Sequence, residues 1–326
     1  MGSIDELRVS TQEQYARLLG GTSKISVACS GGVDSTVLFH MIFSMIEDKG
    51  RLSICHVNYG LRVEENYREV ALLQRLADSH GVAFFLHTVE ESERLERREK
   101  NTQIWARLVR YEFFQELRAN GWVIALGHHM DDAAENVVLR LARGTRPVGL
   151  LGMSVWKSPY WRPFLFTRKE TILAWAQGKN LLYWEDSSNA TMEYSRNSIR
   201  HQVLPVLERL FPGAKRRLVR CADEVRDLSA YVREGFRNEG IAAQPSLGLD
   251  FLSRLPVGVA KEAIEVWLEA KTDQIPRLSD ALYEELFHWI RSYRRGETCS
   301  WKRMLSQDLC IYIEHESLWF LYTEKK

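Results

Sequence analysis

Over the first 143 residues, short apolar runs alternate with longer segments of helical periodicity. Four runs rich in Val, Ile, Leu and Phe have the length of buried strands, at residues 25–29, 52–58, 82–88 and 122–127. Segments with apolar residues at helical spacing follow them, at residues 37–46, 68–80, 105–117 and 131–143. This alternation predicts an α/β fold with a doubly wound, mostly parallel sheet, in which ligands bind beyond the carboxyl ends of the strands.

The pattern changes in the second half of the chain, after Pro163. A helix is predicted over residues 168–177, and Pro205 and Pro212-Gly213 punctuate the chain near residue 210. A long charged helix is predicted over 214–237, then helices at 258–270 and 279–292 and two or three short strands up to Tyr322. We therefore expect two domains: residues 1–213 with the parallel sheet, and residues 214–326 as a smaller, mainly helical domain.

Composition excludes several classes of protein. No apolar run reaches the ~18–20 residues that a membrane-spanning helix needs, and the first residues lack the basic and apolar pattern of a signal peptide. None of the five cysteines is spaced as C-x-x-C, which argues against a cysteine zinc site or a disulfide scaffold. Cys29 and Cys55 lie in apolar runs and are predicted to be buried thiols. We expect a reduced, cytoplasmic protein with no membrane partner.

A glycine-rich loop follows the first predicted strand and precedes a helix. It comprises Ser30, Gly31, Gly32, Val33, Asp34, Ser35 and Thr36. Adjacent glycines let backbone N–H groups approach a ligand closely, and the helix N-terminus favours an anion such as phosphate. Hydroxyls of the loop can donate to phosphate oxygens, whereas Asp34 implies a cation such as Mg²⁺. The loop lacks the Gly-Lys-Ser/Thr ending of a Walker A loop.

Acidic residues follow the fourth predicted strand, in the run His128-His129-Met130-Asp131-Asp132-Ala133-Ala134-Glu135. At the start of a helix, Asp131, Asp132 and Glu135 share a face, because they are three or four residues apart. Such a cluster can hold Mg²⁺ or accept a proton from an incoming amine.

Basic residues recur at three further places. The second strand ends in His56-Val57-Asn58-Tyr59-Gly60-Leu61-Arg62, and Arg107 and Arg110 share a helix face before Tyr111. Arginines there can bind a phosphate or a polarised base through their fork of donors. Residues 186–220 carry seven Lys/Arg against three Asp/Glu, a surplus of four in a chain of net charge +1. This surplus, which includes Arg196 and Arg200, has the character of a footprint for nucleic-acid phosphates.

The glycine loop resembles the PP-loop of the ATP pyrophosphatases, which are Rossmann-like enzymes that cleave ATP between the α and β phosphates. The order of the motifs from residue 25 to residue 207 resembles the tRNA(Ile)-lysidine synthetase family. Three motifs distinguish this family from the rest of the superfamily. They are His-His-x-Asp-Asp-x-x-Glu, Asp186-x-Ser-Asn189 and Arg196-Asn197-x-x-Arg200-His201. Tyr59, Ala133 and Asn136 stand where that family usually has His, Gln and Thr. The chain is expected to correspond to the short form, without the additional C-terminal domain.

The resemblance implies that ATP adenylates the wobble cytidine of tRNA(Ile), and that L-lysine then replaces AMP, with Mg²⁺ held by Asp34 through pyrophosphate. Catalytic roles are implied for Asp34, Arg107, Asp132, Glu135 and Arg200. ATP binding is implied for residues 30–36 together with His56 and Asn58. Binding of the RNA or lysine is implied for Arg62, Arg110, His128, Asp131, Arg196, Asn197 and His201. The second domain would bind tRNA, and a homodimer is one assembly that we keep open.

Three other functions are weighed against this one. A PP-loop ligase could amidate an adenylated carboxylate of a small molecule or peptide, but the basic segment disfavours it. Sulfur transfer to tRNA within the same superfamily needs catalytic cysteines, and no suitable pair is present. A non-catalytic RNA-binding protein would have no need for the costly clustered charges of Asp34, Asp132 and Glu135.

Overall fold

The chain forms two compact units in a computed structural model. Unit 1 comprises residues 1–144 and 151–222, and unit 2 comprises residues 145–150 and 223–326. The structure describes residues 4–21, 23–60, 63–90, 102–150, 152–184, 195–271, 278–295, 300–306 and 309–322. The predicted domain boundary between residues 213 and 214, and the function predicted for each domain, stay predictions.

Unit 1 is built on a sheet of six strands. They are β1 (Lys24–Ala28), β2 (Leu52–Asn58), β3 (Ala83–Thr88), β4 (Trp122–Ala125), β5 (Trp156–Lys157) and β6 (Tyr160–Trp161). Their order is β3-β2-β1-β4-β6-β5, and every pair is parallel except β5 with β6. The predicted mostly parallel sheet is therefore confirmed. The β5–β6 hairpin was not predicted, because strands of two residues carry no periodicity.

Helices precede, connect and follow these strands. They are α1 (Ile4–Leu19), α2 (Val33–Met45), α3 (Val63–His80), α4 (Thr102–Ala119), α5 (Met130–Arg143), α6 (Lys169–Gly178), α7 (Ser195–Ser198), α8 (Leu204–Leu210) and α9 (Ala214–Asn238). A π-helical segment, Ile199–Val203, joins α7 to α8. The chain passes from unit 1 to unit 2 within α9. None of the described helices is long and apolar enough to cross a membrane.

Both faces of the parallel sheet are buried. In β2, Leu52 and Ile54 belong to an apolar cluster that includes residues of α1, α2, α3 and α6, whereas Cys55 and Val57 belong to a second cluster with α4. Neighbouring residues of a strand point to opposite faces, so the two clusters cover opposite sides of the sheet. This burial explains why the strands are continuous apolar runs rather than alternating ones.

The order of the strands places a switch point between β1 and β4. The chain moves from β1 outward to β2 and β3, then returns to the other side of β1 as β4. The loops that leave β1 and β4 are therefore neighbours, which is where open α/β sheets bind ligands. Gly127 makes the approach close: a Cβ there would lie 3.2 Å from the backbone of both Asp34 and Ser35.

Unit 2 combines helices with a small antiparallel sheet. Its helices are α10 (Leu249–Arg254), α11 (Val257–Glu269) and α12 (Asp280–Arg294), and its strands are β7 (Ser246–Gly248), β8 (Trp301–Met304), β9 (Leu309–Glu314) and β10 (Ser317–Tyr322). The order is β7-β10-β9-β8. The predicted helices and late strands are confirmed, and β7 is an additional strand that the sequence did not indicate. Trp267 and Tyr283 are fully buried in its core.

Candidate active site

The glycine loop turns sharply as it leaves β1. Gly31 has a φ of +76°, which a residue with a side chain rarely adopts, and its carbonyl accepts a hydrogen bond of 2.8 Å from the Trp184 N–H. Gly32 is the N-cap of α2 and offers no side-chain oxygen to the first turn of that helix. The N–H groups of that turn are therefore without a side-chain cap, an arrangement that favours an anion.

The hydroxyl groups of the loop do different things. The Ser35 hydroxyl accepts a hydrogen bond from the Ser30 N–H at 3.2 Å and donates to the Gly32 carbonyl at 3.0 Å. The Thr36 hydroxyl donates to the Gly31 carbonyl at 3.5 Å. Ser35 and Thr36 are buried and hold the loop in shape, whereas Ser30 is exposed. Phosphate binding by Ser35 and Thr36 stays a prediction.

Asp34 lies at the start of α2 and does have a cation beside it. The Lys169 ammonium, at the first residue of α6, is 2.6 Å and 2.7 Å from the two carboxylate oxygens of Asp34. Each side chain is 28% exposed, so the pair borders solvent and can exchange partners. The cation beside Asp34 in the structure is therefore Lys169, and Mg²⁺ at Asp34 stays a prediction.

His129 connects the two loops. It caps α5: its Nδ1 accepts a hydrogen bond of 3.2 Å from the Asp131 N–H, and its own N–H donates to Asp132 at 3.0 Å. Because Nδ1 is an acceptor, the neutral ring carries its proton on Nε2. Nε2 lies 3.5 Å from Asp132 and 3.8 Å from Asp34. The sequence motif contains both histidines, but binding was implied for His128 and no role was implied for His129.

Asp132 and Glu135 share a face of α5, as predicted, and two arginines hold them. Arg200 donates from Nε to Glu135 at 2.5 Å and from a terminal nitrogen to Asp132 at 3.1 Å. Arg196 donates from Nε to Glu135 at 2.9 Å. Glu135 is completely buried, whereas the Asp132 side chain retains 14% exposure. The structure therefore joins four predicted residues in one cluster.

The pKa shifts follow from these contacts. Burial opposes the charged form of Arg200, but the hydrogen bond and charge of Glu135, together with Asp132, outweigh it and raise the pKa of the guanidinium. Burial also opposes the charge of Asp132, but the nearby histidines, a backbone hydrogen bond and Arg196 outweigh it and lower the pKa of the carboxyl. Both groups are therefore held in their charged forms.

The basic motif that supplies these arginines continues through the π-helical segment into α8. The segment contains Arg200, and π-helical turns often occur at functional sites. Asn197 is half-buried and His201 is exposed. Further along, Glu208 accepts backbone hydrogen bonds at the start of α9, from Gly213 at 2.6 Å and from Lys215 at 3.1 Å.

Lys215 brings a fourth cation to the acids. Its ammonium pairs with Asp131, so each of the acids Asp34, Asp131, Asp132 and Glu135 has a cationic partner. The sequence placed Lys215 in the basic surplus but did not assign it to the site. The signal for Lys169 was weaker still, because one lysine at the start of a helix has no distinguishing pattern.

The residues at the end of β2 and directly after it hold neighbouring backbone in place. The His56 ring donates from Nδ1 to the Cys29 carbonyl at 2.8 Å, which leaves Nε2 as an acceptor, and burial lowers the pKa of His56. The Asn58 side-chain oxygen accepts from the Gly60 N–H at 3.0 Å and shapes the turn. The Tyr59 hydroxyl donates to the Ala106 carbonyl at 3.1 Å. Arg62 lies outside the described residues.

Arg107 and Arg110 lie on α4 beside Tyr111. The Arg107 guanidinium carbon is 4.6 Å from the centre of the Tyr111 ring, and a terminal nitrogen donates to the Tyr111 hydroxyl at 3.3 Å. The Arg110 guanidinium carbon is 5.9 Å from the same ring. Near them, burial lowers the pKa of His128 to about 4. The charges of Arg162 and Arg110 add to this lowering, and the charge of Asp132 opposes it. His128 is therefore neutral at pH 7.

A resident metal would have to share its ligands with a substrate. Within the described ranges, no three His, Cys, Asp or Glu side chains are grouped so that they could hold an ion by themselves. Asp34 offers one carboxylate at the uncapped end of α2. Mg²⁺ commonly binds to one or two carboxylates together with substrate phosphates, so the residues fit an ion that arrives with a nucleotide.

Comparisons with known proteins agree with this architecture. A family model described as the PP-loop domain matches residues 7–207. The bifunctional protein TilS/HprT of Listeria monocytogenes is 34% identical over 214 residues, which are 64% of this chain and 33% of that protein. The tRNA(Ile)-lysidine synthase of Parabacteroides distasonis is 33% identical over 250 residues, 75% of this chain and 56% of that protein.

A solved structure shows the same fold. The U34-tRNA thiolase NcsA from Methanococcus maripaludis has a TM-score of 0.57 and 19% identity, over 69% of this chain and 80% of that one. The chain spans about a third of the length of the bifunctional relative and about half of the lysidine synthase. Because the family model covers most of unit 1, including both loops at the switch point, the chain belongs to the PP-loop domain family.

Proposed function

We propose that this protein is an ATP-dependent ligase that converts the wobble cytidine of tRNA(Ile) to lysidine, releasing AMP and pyrophosphate. The observation that carries the proposal is the cluster of Asp132, Glu135, Arg196 and Arg200 beside a PP-loop. A loop for a nucleotide, acids for an amine and arginines for a nucleic acid thereby meet at one edge of the sheet. The relatives named as tRNA(Ile)-lysidine synthases support this choice of substrates.

In the first step, oxygen 2 of the cytosine attacks the α phosphorus of ATP and pyrophosphate leaves. The N–H groups of the loop and of the first turn of α2 hold the phosphates. Lys169 neutralises Asp34, so that an anionic nucleotide meets no net negative charge there. Asp34 would also hold Mg²⁺ together with pyrophosphate oxygens, and the ion would supply charge neutralisation.

In the second step, the ε-amine of lysine attacks carbon 2 of the cytosine and AMP leaves with oxygen 2. The amine has a reference pKa near 10.4, so it must lose a proton before it can attack. We assign the acceptance of this proton to Asp132, because its side chain keeps some exposure. Glu135 is completely buried, and its carboxylate is hydrogen-bonded to two arginines. Glu135 then acts as a positioning residue for Arg196 and Arg200.

The cytosine must leave the anticodon stack before either step, as in other enzymes that modify a base. Arg107 is exposed and lies against Tyr111, so it offers a planar cation to the flipped base or its phosphate. We further propose that residues 214–326 recognise the shape and backbone of the tRNA. A homodimer and a cytoplasmic location stay predictions.

The second candidate is a PP-loop ligase that amidates an adenylated small molecule or peptide. The two candidates differ in what triggers cleavage of ATP. If RNA is the substrate, release of pyrophosphate from ATP requires tRNA(Ile) and is negligible with lysine alone. Release that is equally fast without RNA would favour the small-molecule ligase and contradict our proposal. Sulfur transfer stays disfavoured, since Cys29, Cys55 and Cys310 are buried and Cys221 is the one exposed cysteine among the residues described.

A further inference from the structure

Arg162 is a buried arginine that has no role in the chemistry proposed above. It follows β6 directly, and β6 pairs in parallel with β4, so Arg162 lies at the same sheet edge as His128. The Leu126 N–H donates to the Trp161 carbonyl at 2.8 Å, which keeps the two strands paired up to this point. Arg162 is only 7% exposed.

Within the described part of the chain, Arg162 has no ion-pair partner, unlike Lys169, Arg196, Arg200 and Lys215. One terminal nitrogen donates to the Ser154 carbonyl at 3.1 Å. Burial lowers the pKa of Arg162, and the nearby Tyr111 opposes this effect. Its Nε is buried and has no hydrogen-bond partner among the residues that the structure describes. Burial of a guanidinium without a counter-charge costs free energy, so the site should bind a small anion tightly.

Other groups near this guanidinium make it a candidate site for an anion, and we refer to Arg162, Tyr111 and His128 together as the Arg162 site. The Arg162 guanidinium carbon lies 5.7 Å from the centre of the Tyr160 ring, and the Tyr111 ring lies 5.2 Å from that same ring. His128 contributes a second buried atom, its Nδ1, that has no hydrogen-bond partner among the described residues. A buried cation and a buried ring nitrogen with unmet hydrogen bonds therefore lie at the same edge of the sheet.

We infer that the Arg162 site binds the α-carboxylate of the free amino acid that the proposed ligase consumes. This inference rests on the proposed function. The phosphates of ATP have their own site at the glycine loop. An RNA phosphate, flanked by two sugars, is too large to reach a guanidinium that is so deeply buried, whereas a terminal carboxylate is small.

The electrostatics of His128 agree with this assignment. The charge of Asp132 favours the protonated ring and the charge of Arg162 opposes it, so both groups act on His128. An acid and an arginine therefore lie near the same residue. Lysine carries a carboxylate at one end and an ammonium at the other, so it can address both groups at once: its carboxylate at Arg162 and its ε-amine at Asp132.

The test compares L-lysine with cadaverine, which has the same chain and amine but no carboxylate. In Arg162→Met, kcat/KM for lysine should fall roughly 10- to 100-fold, whereas kcat/KM for cadaverine and the KM values for ATP and tRNA should stay unchanged. If Arg162→Met fails to fold, Arg162→Lys, which keeps the positive charge but loses the planar fork of donors, should weaken the same preference. Arg118→Met, an exposed arginine at the far end of α4, is the matched control and should behave as wild type.

Equal losses for lysine and cadaverine would overturn the inference, because they would indicate a structural role. If Arg162→Met raised only the KM for tRNA, the inference would also be overturned, because Arg162 would then bind an RNA phosphate. Calorimetry of L-lysine and lysine amide binding to the protein without RNA separates this inference from the proposed function. The inference is supported if the wild-type protein binds L-lysine but not lysine amide, and if Arg162→Met does not bind L-lysine. This support holds even if no RNA is modified. Equal binding of both compounds contradicts it.

Discussion

The ammonium of Lys169 lies 2.6 Å and 2.7 Å from the two carboxylate oxygens of Asp34, at the point where the glycine loop becomes a helix. The two residues are 135 positions apart in the sequence. The contact makes the nucleotide end of the site electrically neutral, and it gives the lysine a definite role: it removes a negative charge that would otherwise repel phosphate.

Lys169→Met should therefore weaken ATP binding. With Asp34 left unpaired near the phosphates, the KM for ATP should rise about tenfold, which corresponds to about 1.4 kcal/mol. Steady-state kinetics with saturating tRNA and lysine measure this. Lys179→Met removes an exposed lysine just beyond the other end of α6 and should leave the KM unchanged. An unaltered KM in Lys169→Met would show that the ion pair has no part in nucleotide binding.

Gly127→Ala tests the close approach of the two loops. The added Cβ would meet backbone atoms of Asp34 and Ser35 at 3.2 Å, and backbone cannot move as freely as the tip of a side chain. We expect a loss of about 1–3 kcal/mol in the free energy of unfolding, together with impaired ATP use. Urea denaturation and pyrophosphate release check the two effects.

The control for this substitution is Gly235→Ala. Gly235 lies inside α9, and nothing stands within 4 Å of a Cβ built there. Alanine in a helix interior should stabilise the protein by about 0.5–1 kcal/mol. If Gly127→Ala is as well tolerated as this control, the loops do not need their close contact.

Asp132→Asn and Glu135→Gln should have different consequences. Asp132→Asn should abolish lysine transfer but retain adenylation of the RNA, because Asp132 is assigned to the amine. Glu135→Gln should impair both steps and lower the free energy of unfolding by about 1.5–3 kcal/mol, because it loosens two arginines from a buried partner. Single-turnover assays that separate adenylation from transfer distinguish the two.

Glu285→Gln removes an exposed ion pair with Arg303 and is the control for loss of a paired carboxylate. It should change neither stability nor activity, since surface pairs contribute little. The role of Asp132 would be contradicted if its variant lost adenylation and transfer to the same extent.

The stability of unit 1 should depend on pH through His40. Burial, with a contribution from His80, lowers the pKa of His40 to about 4 from an ordinary value of 6.5. The unfolded chain therefore binds the proton more readily than the folded one, and the free energy of unfolding falls as the pH drops from about 6.5 toward 4. His40→Leu should reduce this dependence. Urea midpoints at pH 7.5 and 5.0 measure it, and parallel slopes in the two proteins would exclude His40 as a source.

Much of the fold follows from local patterns. The strands β1 to β4 are buried on both faces and so appear as apolar runs, and the helices after them keep their periodicity. Helix α1 is polar enough to hide that pattern, and β5, β6 and β7 are too short to carry one. These elements are specified by their tertiary neighbours rather than by their own sequence.

The site divides in the same way. Asp131, Asp132 and Glu135 could be predicted to share a face because helical spacing fixes it. Their cationic partners could not be assigned, since Lys215 and Arg196 belong to segments far along the chain. Arg162 could not be singled out from the sequence either. Its burial and its lack of an acidic partner among the described residues are properties of the tertiary structure.

The most direct test of the proposed function is transfer of labelled L-lysine to tRNA(Ile) transcripts in the presence of ATP. One transcript carries cytidine at the wobble position and a second carries uridine there. We predict that the label enters the cytidine transcript alone, with one AMP formed for each lysine transferred. Equal labelling of both transcripts, or of neither under conditions where ATP is cleaved, would contradict the assignment of the wobble cytidine as the substrate.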